Sequence, residues 1–187
     1  MKPRVLLDMD GVVYDWNSGA CRLVGIDCTN AAYRSVLVES ENALDRLVPK
    51  KKLIQAVAEA GVDFWQKLPL LPWGRELHDR LALVGDLCFL TSYGHWTDAP
   101  KGKLLALQRD FPDTPVLFGR KKRFCAGPRS VLIDDKFENV DEFRQAGGMA
   151  VEWPNQYLIE DKAIDIHRVM DELIALIEQG IIYQGDE

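Results

Sequence analysis

No stretch of this chain approaches the roughly 18 consecutive apolar residues that a helical membrane span requires. The amino terminus, Met1-Lys2-Pro3-Arg4, runs straight into a short apolar segment and not into a signal-peptide core. Cysteine is scarce as well: Cys21, Cys28, Cys88 and Cys125 contain no C-x-x-C pair, and Cys88 and Cys125 lie in or beside apolar runs where small buried thiols are common. Reduced structural cysteines in a soluble, cytoplasmic protein are the expectation. An excess of positive charge is also missing. With 23 Lys and Arg against 29 Asp and Glu, the formal net charge is -6, so the surface as a whole should repel nucleic acid polymers and anionic membranes. Any phosphate bound here must be held by a local group of cations or by a metal. Internal repeats and low-complexity segments are absent too.

What is present is a chain of 187 residues with 47% apolar content, enough for one domain, or for one core domain with a modest insertion. Val5 to Leu7 is a short apolar run that ends in an acidic residue and then glycine, the pattern of a buried strand with polar groups at its carboxyl end. Similar runs recur at Leu87 to Thr91, Val116 to Phe118, Val131 to Asp134 and Met149 to Val151. Between and after them lie helical patterns over Trp73 to Val84, Pro100 to Phe111, Phe137 to Ala146 and Asp161 to Glu178. Strands alternating with helices predict an α/β fold with a doubly wound, Rossmann-like parallel sheet.

The stretch from Asn17 to Leu71 breaks this alternation. It reads as helices over Ala31 to Val38, Glu41 to Leu47 and Lys51 to Ala60, then returns through the proline-punctuated Leu68-Pro69-Leu70-Leu71-Pro72. The expected organisation is a core of residues 1–16 and 72–187, with residues 17–71 inserted after the first strand as a small helical cap. Ordinary helices flanking the sheet are the alternative. The end, Gln184-Gly185-Asp186-Glu187, reads as a frayed polar tail.

Three of the apolar runs end in groups suited to chemistry: Asp8, Thr91-Ser92 and Asp134-Asp135. In open α/β sheets the ligand site lies off the carboxyl ends of the strands, so groups far apart in sequence can converge there. Asp8 and Asp10 are spaced i, i+2 with Gly11 next, and a turn at that glycine lets both carboxylates reach one pocket. Two acids so close repel unless a cation sits between them or one is protonated. A hard divalent ion with oxygen ligands, most simply Mg²⁺, meets that need, and Asp134 or Asp135 can supply a further oxygen. Plainer roles stand beside these. Thr91-Ser92 can cap a turn, and Arg120-Lys121-Lys122-Arg123 is by default a solvated loop. Trp16, Phe64 and Trp65 suit either core packing or a slot that stacks on a nucleobase. His95 follows a strand-end motif as substrate contact or loop, whereas His78 and His167 sit on helical patterns as packing or surface residues.

Asp8-Met9-Asp10-Gly11-Val12, then Leu90-Thr91-Ser92, then a lysine, then Leu132-Ile133-Asp134-Asp135 resembles the four ordered motifs of the haloacid dehalogenase (HAD) superfamily of phosphatases. Within it the chain is most similar to the 5'(3')-deoxyribonucleotidases. Trp16 looks like the aromatic that follows their first motif, and Phe64-Trp65 before Leu68-Pro69 and Leu71-Pro72 looks like their aromatic pair and proline-containing return. Arg120, Lys121 and Lys122 resemble the basic residues before their last acidic pair. The likeness runs from Arg4 to Trp16 and from Phe64 to Lys136; the insertion matches only in position and helical character. Where the family has a proline and a phosphate-contacting lysine after the threonine and serine, this chain has Tyr93-Gly94-His95-Trp96. His95 stands about where that lysine would be. The catalytic lysine is best placed at Lys103, with Lys101 as the alternative.

The resemblance implies that Asp8 attacks phosphorus to give an aspartyl-phosphate, with Asp10 as acid and then base. Mg²⁺ would be held by Asp8, the Asp10 backbone carbonyl and Asp135 or Asp134. Thr91 or Ser92 and a lysine would bind the phosphoryl oxygens, and Trp16, Phe64, Trp65, His95, Arg120 and Lys122 would bind the rest of the substrate. The implied substrate is a nucleoside monophosphate, deoxyribonucleotides being favoured by resemblance alone, with a place in deoxyribonucleotide catabolism. A sugar phosphate or other small phosphoester is the nearest alternative. A non-catalytic metal- or phosphate-binding protein of the same fold would have no need of the second acid, Asp10, and a haloalkanoate dehalogenase would need neither Asp10 nor magnesium. The partner is thus a small phosphomonoester; a homodimer stays open.

Overall fold

The computed structural model describes residues 2–39 and 44–183. The expected start of a helix at Glu41 and the expected frayed tail at Gln184 to Glu187 lie outside those residues. Five strands, β1 (Arg4–Leu7), β2 (Asp86–Thr91), β3 (Val116–Phe118), β4 (Ser130–Asp134) and β5 (Met149–Glu152), form one parallel sheet in the order β3-β2-β1-β4-β5. This is the doubly wound α/β architecture expected from the alternation. The central strands read as unbroken apolar runs because both faces of the sheet are covered.

Side chains alternate between those faces with period two. Val5, Leu7, Phe89, Val131 and Ile133 enter the large core cluster, whereas Leu6, Leu90, Leu132 and Ala150 enter a smaller one with Val140 and Phe143. Val140 and Phe143 belong to helix α7 (Phe137–Gln145), so α7 covers that second face. The first face carries α5 (Gly74–Val84), α6 (Ala99–Asp110) and α9 (Ile166–Tyr183), through residues such as Leu77, Leu81, Leu107, Met170 and Leu173.

Between β1 and α5 the chain forms α1 (Trp16–Leu23), α2 (Ala31–Leu37), α3 (Leu44–Leu47) and α4 (Lys50–Gln66). Asp15 and Asn30 cap α1 and α2 by accepting from the backbone N–H groups of Ser18 and Ala32. The neck of this excursion is narrow. Asp15 N–H donates to the Pro69 carbonyl and Leu71 N–H to the Val13 carbonyl, both at 2.9 Å, so the outgoing and returning chains are hydrogen-bonded to each other. The Trp73 indole donates to the Val12 carbonyl at 2.9 Å and fixes the return. α4 then packs on α6 at Gly102, where a Cβ would stand 2.4 Å from the Trp65 Cβ and 2.7 Å from the Val62 carbonyl. Only glycine permits that approach. On the other side Arg34 of α2 reaches α8 (Gln156–Glu160), bonding the Tyr157 carbonyl at 3.1 Å and Glu160 at 2.9 Å. Among the described residues no helix is long and apolar enough to cross a membrane.

Candidate active site

Strand register assembles the site. The last paired residues are Leu7 with Ile133, so one step further Asp8 and Asp134 stand side by side, and Asp8 N–H donates to the Ile133 carbonyl at 3.0 Å. On the other flank β2 ends in Thr91. Beyond Asp8 the chain turns at Gly11, whose φ of 76° lies in the left-handed region and whose Cβ, if present, would be 2.2 Å from Asp135 Oδ2. The glycine therefore serves both the turn and the passage of the Asp135 carboxylate across it.

Two buried lysines meet these acids. Lys122, on the 3-10 turn Lys122–Cys125, lies 2.7 Å from Asp8 Oδ1 and 2.5 Å from Asp134 Oδ2. Lys103, on α6, donates to Asp10 Oδ2 at 2.6 Å, to Thr91 Oγ1 at 2.8 Å and to the Ser92 carbonyl at 2.6 Å. Asp134 also accepts from Asn139 Nδ2 and from the Lys136 backbone N–H. Asp135 Oδ1 and Asp10 Oδ1 are buried with no partner among the described residues.

The carboxyls accordingly diverge. Burial drives Asp8 upward, but Lys122 and then Lys103 override it and hold the group below the ordinary carboxylate range. Asp10 is raised, because burial outweighs the pull of Lys103 and Asp8 adds repulsion. Asp135 is pushed well above its ordinary value by burial first and by Asp8 and Asp134 second. Asp8 is thus held below the ordinary carboxylate range while Asp10 and Asp135 are held above it.

Ligand oxygens of Asp8, Asp134 and Asp135 lie within 4.8 Å of one another. A hard cation fits this donor set, since the unpartnered buried Asp135 oxygen is what such an ion would satisfy. Asp134 is already engaged by Lys122, Asn139 and Lys136, which leaves Asp135 as the freer ligand of the pair. The Asp10 side chain is not part of this triad.

A cavity of about 220 Å³ opens over these groups. Its wall includes Asp8, Asp10, Ser92, Lys122 and Asp135, and, from the sequence-selected binding residues, Trp16, Trp65 and His95. Phe64 and Arg120 are not in it. Phe64 packs near Gly19 of α1 and edge-on to Trp65 at 5.1 Å between ring centroids, a place in the scaffold of the insertion; Arg120 is exposed. Lys101 is exposed as well, whereas Lys103 is buried. Sequence reading did not select Trp96, which lines the cavity with its ring 5.3 Å from that of Trp65 and 6.4 Å from that of Trp16. Its position directly after His95 was the available signal. Asn17, Lys136 and Asn139 were also missed, and nothing in their spacing marks them.

The sequence matches no protein-family model and no curated protein. Solved structures do match. HAD-hydrolase YfnB of Bacillus subtilis, solved bound to magnesium, aligns with a TM-score of 0.52 at 14% identity, over 80% of this chain and 85% of that one. A phosphonoacetaldehyde hydrolase-like protein of Oleispira antarctica gives 0.52 at 17% identity, over 98% of this chain and 86% of that one. CbbY of Rhodobacter sphaeroides, in complex with phosphate, gives 0.50 at 16% identity, over 84% and 88%. At such identities the likeness concerns architecture: this chain has the α/β fold of the haloacid dehalogenase-like hydrolases, with small helices inserted after β1.

Proposed function

We propose that this chain is a magnesium-dependent phosphomonoester hydrolase that works through an aspartyl-phosphate on Asp8 and takes nucleoside monophosphates. The observation that carries the chemistry is the pairing of unlike acids in one cavity. Lys122 stands 2.7 Å from Asp8 and, with Lys103, holds it below the ordinary carboxylate range, whereas Asp10 two residues away is raised by burial and has a buried oxygen with no partner among the described residues. A nucleophile must be an unprotonated carboxylate and a general acid a protonated one.

In this reading an Asp8 oxygen attacks phosphorus as the bond from phosphorus to the ester oxygen breaks, and the Asp10 proton passes to the departing alcohol. Asp10, now a carboxylate, takes a proton from water, whose oxygen attacks the phosphoryl group and frees Asp8. Lys122 and Ser92 line the cavity, and in this reading the ammonium and the hydroxyl bind phosphoryl oxygens. Asp8 and Asp135 would hold Mg²⁺, which when bound neutralises charge between the carboxylate and the phosphoryl group. YfnB was solved with magnesium and CbbY with phosphate, which accords with this assignment.

The nucleotide reading rests on the half-buried rings of Trp16 and Trp96, which line the same cavity as the acids and are of a kind that stacks on a base. The test is to incubate the protein with Mg²⁺ and nucleoside 5'- and 3'-monophosphates, sugar phosphates and p-nitrophenyl phosphate, and to measure released phosphate. Nucleotide turnover that disappears in Asp8→Asn is the expected outcome. Release that survives Asp8→Asn sinks the catalytic scheme, and a preference for sugar phosphates sinks the nucleotide assignment.

A further inference from the structure

Counting protons separates the two buried lysines. An ammonium has three N–H donors and accepts nothing. Lys103 commits all three, to Asp10 Oδ2, Thr91 Oγ1 and the Ser92 carbonyl, all within 2.8 Å, and nothing remains for a phosphoryl oxygen. Lys122 commits two, to Asp8 and Asp134, and belongs to the cavity wall, where Lys103 does not.

We infer that Lys103 is a positioning residue for Asp10, holding one carboxyl oxygen so that the other is the atom that hands its proton to the leaving group. The inference rests on the phosphatase reading above. Asp10 Oδ2 is fixed by Lys103, while Oδ1 is buried, has no partner among the described residues, and lies on a residue of the cavity wall. Lys103 itself is fixed from behind. Its side chain is 1% exposed, and the Trp65 ring lies 5.0 Å from Nζ. Trp65 reaches that place because α4 closes on α6 at Gly102. The inserted helices thus contribute to the chemistry by sealing the lysine that orients the acid. Thr91, which the family pattern assigns to phosphate, shares its hydroxyl with the same ammonium.

Loss of Lys103 should therefore harm leaving-group protonation and spare attack by Asp8. The ratio kcat/KM reports steps up to cleavage of the ester bond, so a leaving-group comparison isolates this effect. p-Nitrophenolate departs without a proton; a nucleoside alkoxide does not. For Lys103→Met, kcat/KM on a nucleoside 5'-monophosphate should fall on the order of 100-fold or more, the usual worth of a general acid, and on p-nitrophenyl phosphate less than about 5-fold. Asp10→Asn should give the same split. Lys103→Gln, one atom shorter but keeping two N–H donors, should fall between and is the variant to read if the methionine variant is insoluble. Retained p-nitrophenyl phosphate turnover is the internal measure of a folded site. Equal losses on both substrates, or no loss on either, overturn the inference while leaving the aspartyl-phosphate scheme intact. Turnover that persists in Asp8→Asn removes that scheme, and the inference with it.

Discussion

Replacing Lys122 by methionine tests whether its ammonium is what allows two carboxylates to be buried together. The Lys122 side chain is 1% exposed and bridges Asp8 and Asp134, themselves 8% and 0% exposed. Removing one partner of such a buried ion group costs about 3–5 kcal/mol, because the remaining charges lose their compensation. For a domain of this size each kcal/mol corresponds to about 2–4 °C, so Tm in EDTA at neutral pH should drop on the order of 10 °C. Lys121→Met is the control. Lys121 pairs with Glu142 on the surface, with side chains 55% and 32% exposed, and its loss should cost less than about 1 kcal/mol. The pH dependence carries a sign. In the wild type Asp8 is depressed despite burial, by Lys122 and then Lys103, so its stabilisation is present above the ordinary carboxylate pKa and lost as pH falls through the depressed value. Without Lys122, burial should raise Asp8 in the folded state and push Asp134, already raised by burial, further up, a penalty largest above the raised values and relieved on acidification. Thermal melts followed by circular dichroism should therefore show the gap between wild type and variant narrowing from neutral pH to about pH 4. A gap that widens, or equal losses in Lys122→Met and Lys121→Met, would refute the electrostatic account.

Asp135→Asn should abolish the heat of Mg²⁺ binding in titration calorimetry, yet raise Tm in EDTA by a few degrees. Asp135 is pushed well above its ordinary pKa by burial, then Asp8 and Asp134, so its penalty is present at neutral pH and absent below the ordinary value. A Tm rise that persists unchanged at about pH 4 would point to packing instead. Trp16→Ala should raise KM for nucleotides far more than for p-nitrophenyl phosphate; parallel increases in steady-state assays would make Trp16 a packing residue only.

The strands are legible in the sequence because the sheet is buried on both faces. Runs such as Leu87 to Thr91 and Val131 to Asp134 differ by a residue or so from β2 and β4 as observed. The helices around the edges are less so. α8 spans only Gln156–Glu160, started by the Asn155 cap and held by burial of Tyr157 and Ile159, and five residues are too few to display a period. The helix expected from Asp161 begins instead at Ile166, because Lys162 takes a φ of 58° and ends the preceding turn. α1 begins at Trp16, ahead of the first expected helix of the insertion; it is only eight residues long and carries Gly19, a poor helix former, in its middle.

The acids of the site were legible because they sit at strand ends, where register converts sequence position into spatial neighbourhood. The lysines were named only through the family resemblance, Lys103 with Lys101 as the alternative and Lys122 among the binding residues, because composition alone does not single them out. Lys103 and Lys122 lie in charged stretches whose neighbours Lys101, Arg120, Lys121 and Arg123 are exposed. Lys122 and Arg123 open a 3-10 turn, which rotates about 120° per residue, so Lys122 can turn inward while Arg123 stays in water. Which one turns inward is decided by the path of the backbone, not by composition. Once placed, the charges explain each other. Two buried ammoniums reach three carboxylates, Asp8, Asp10 and Asp134, and none reaches Asp135 among the described residues; Asp10 and Asp135 each keep one buried oxygen without a partner there. Without a cation, Asp10, Asp134 and Asp135 move toward protonation, chiefly through burial. Divalent metal and protons are therefore alternatives for the same deficit at the Asp8–Asp135 corner. Metal binding there would release protons and weaken as pH falls, while Asp10, whose carboxyl is bound by Lys103, lies outside the metal triad.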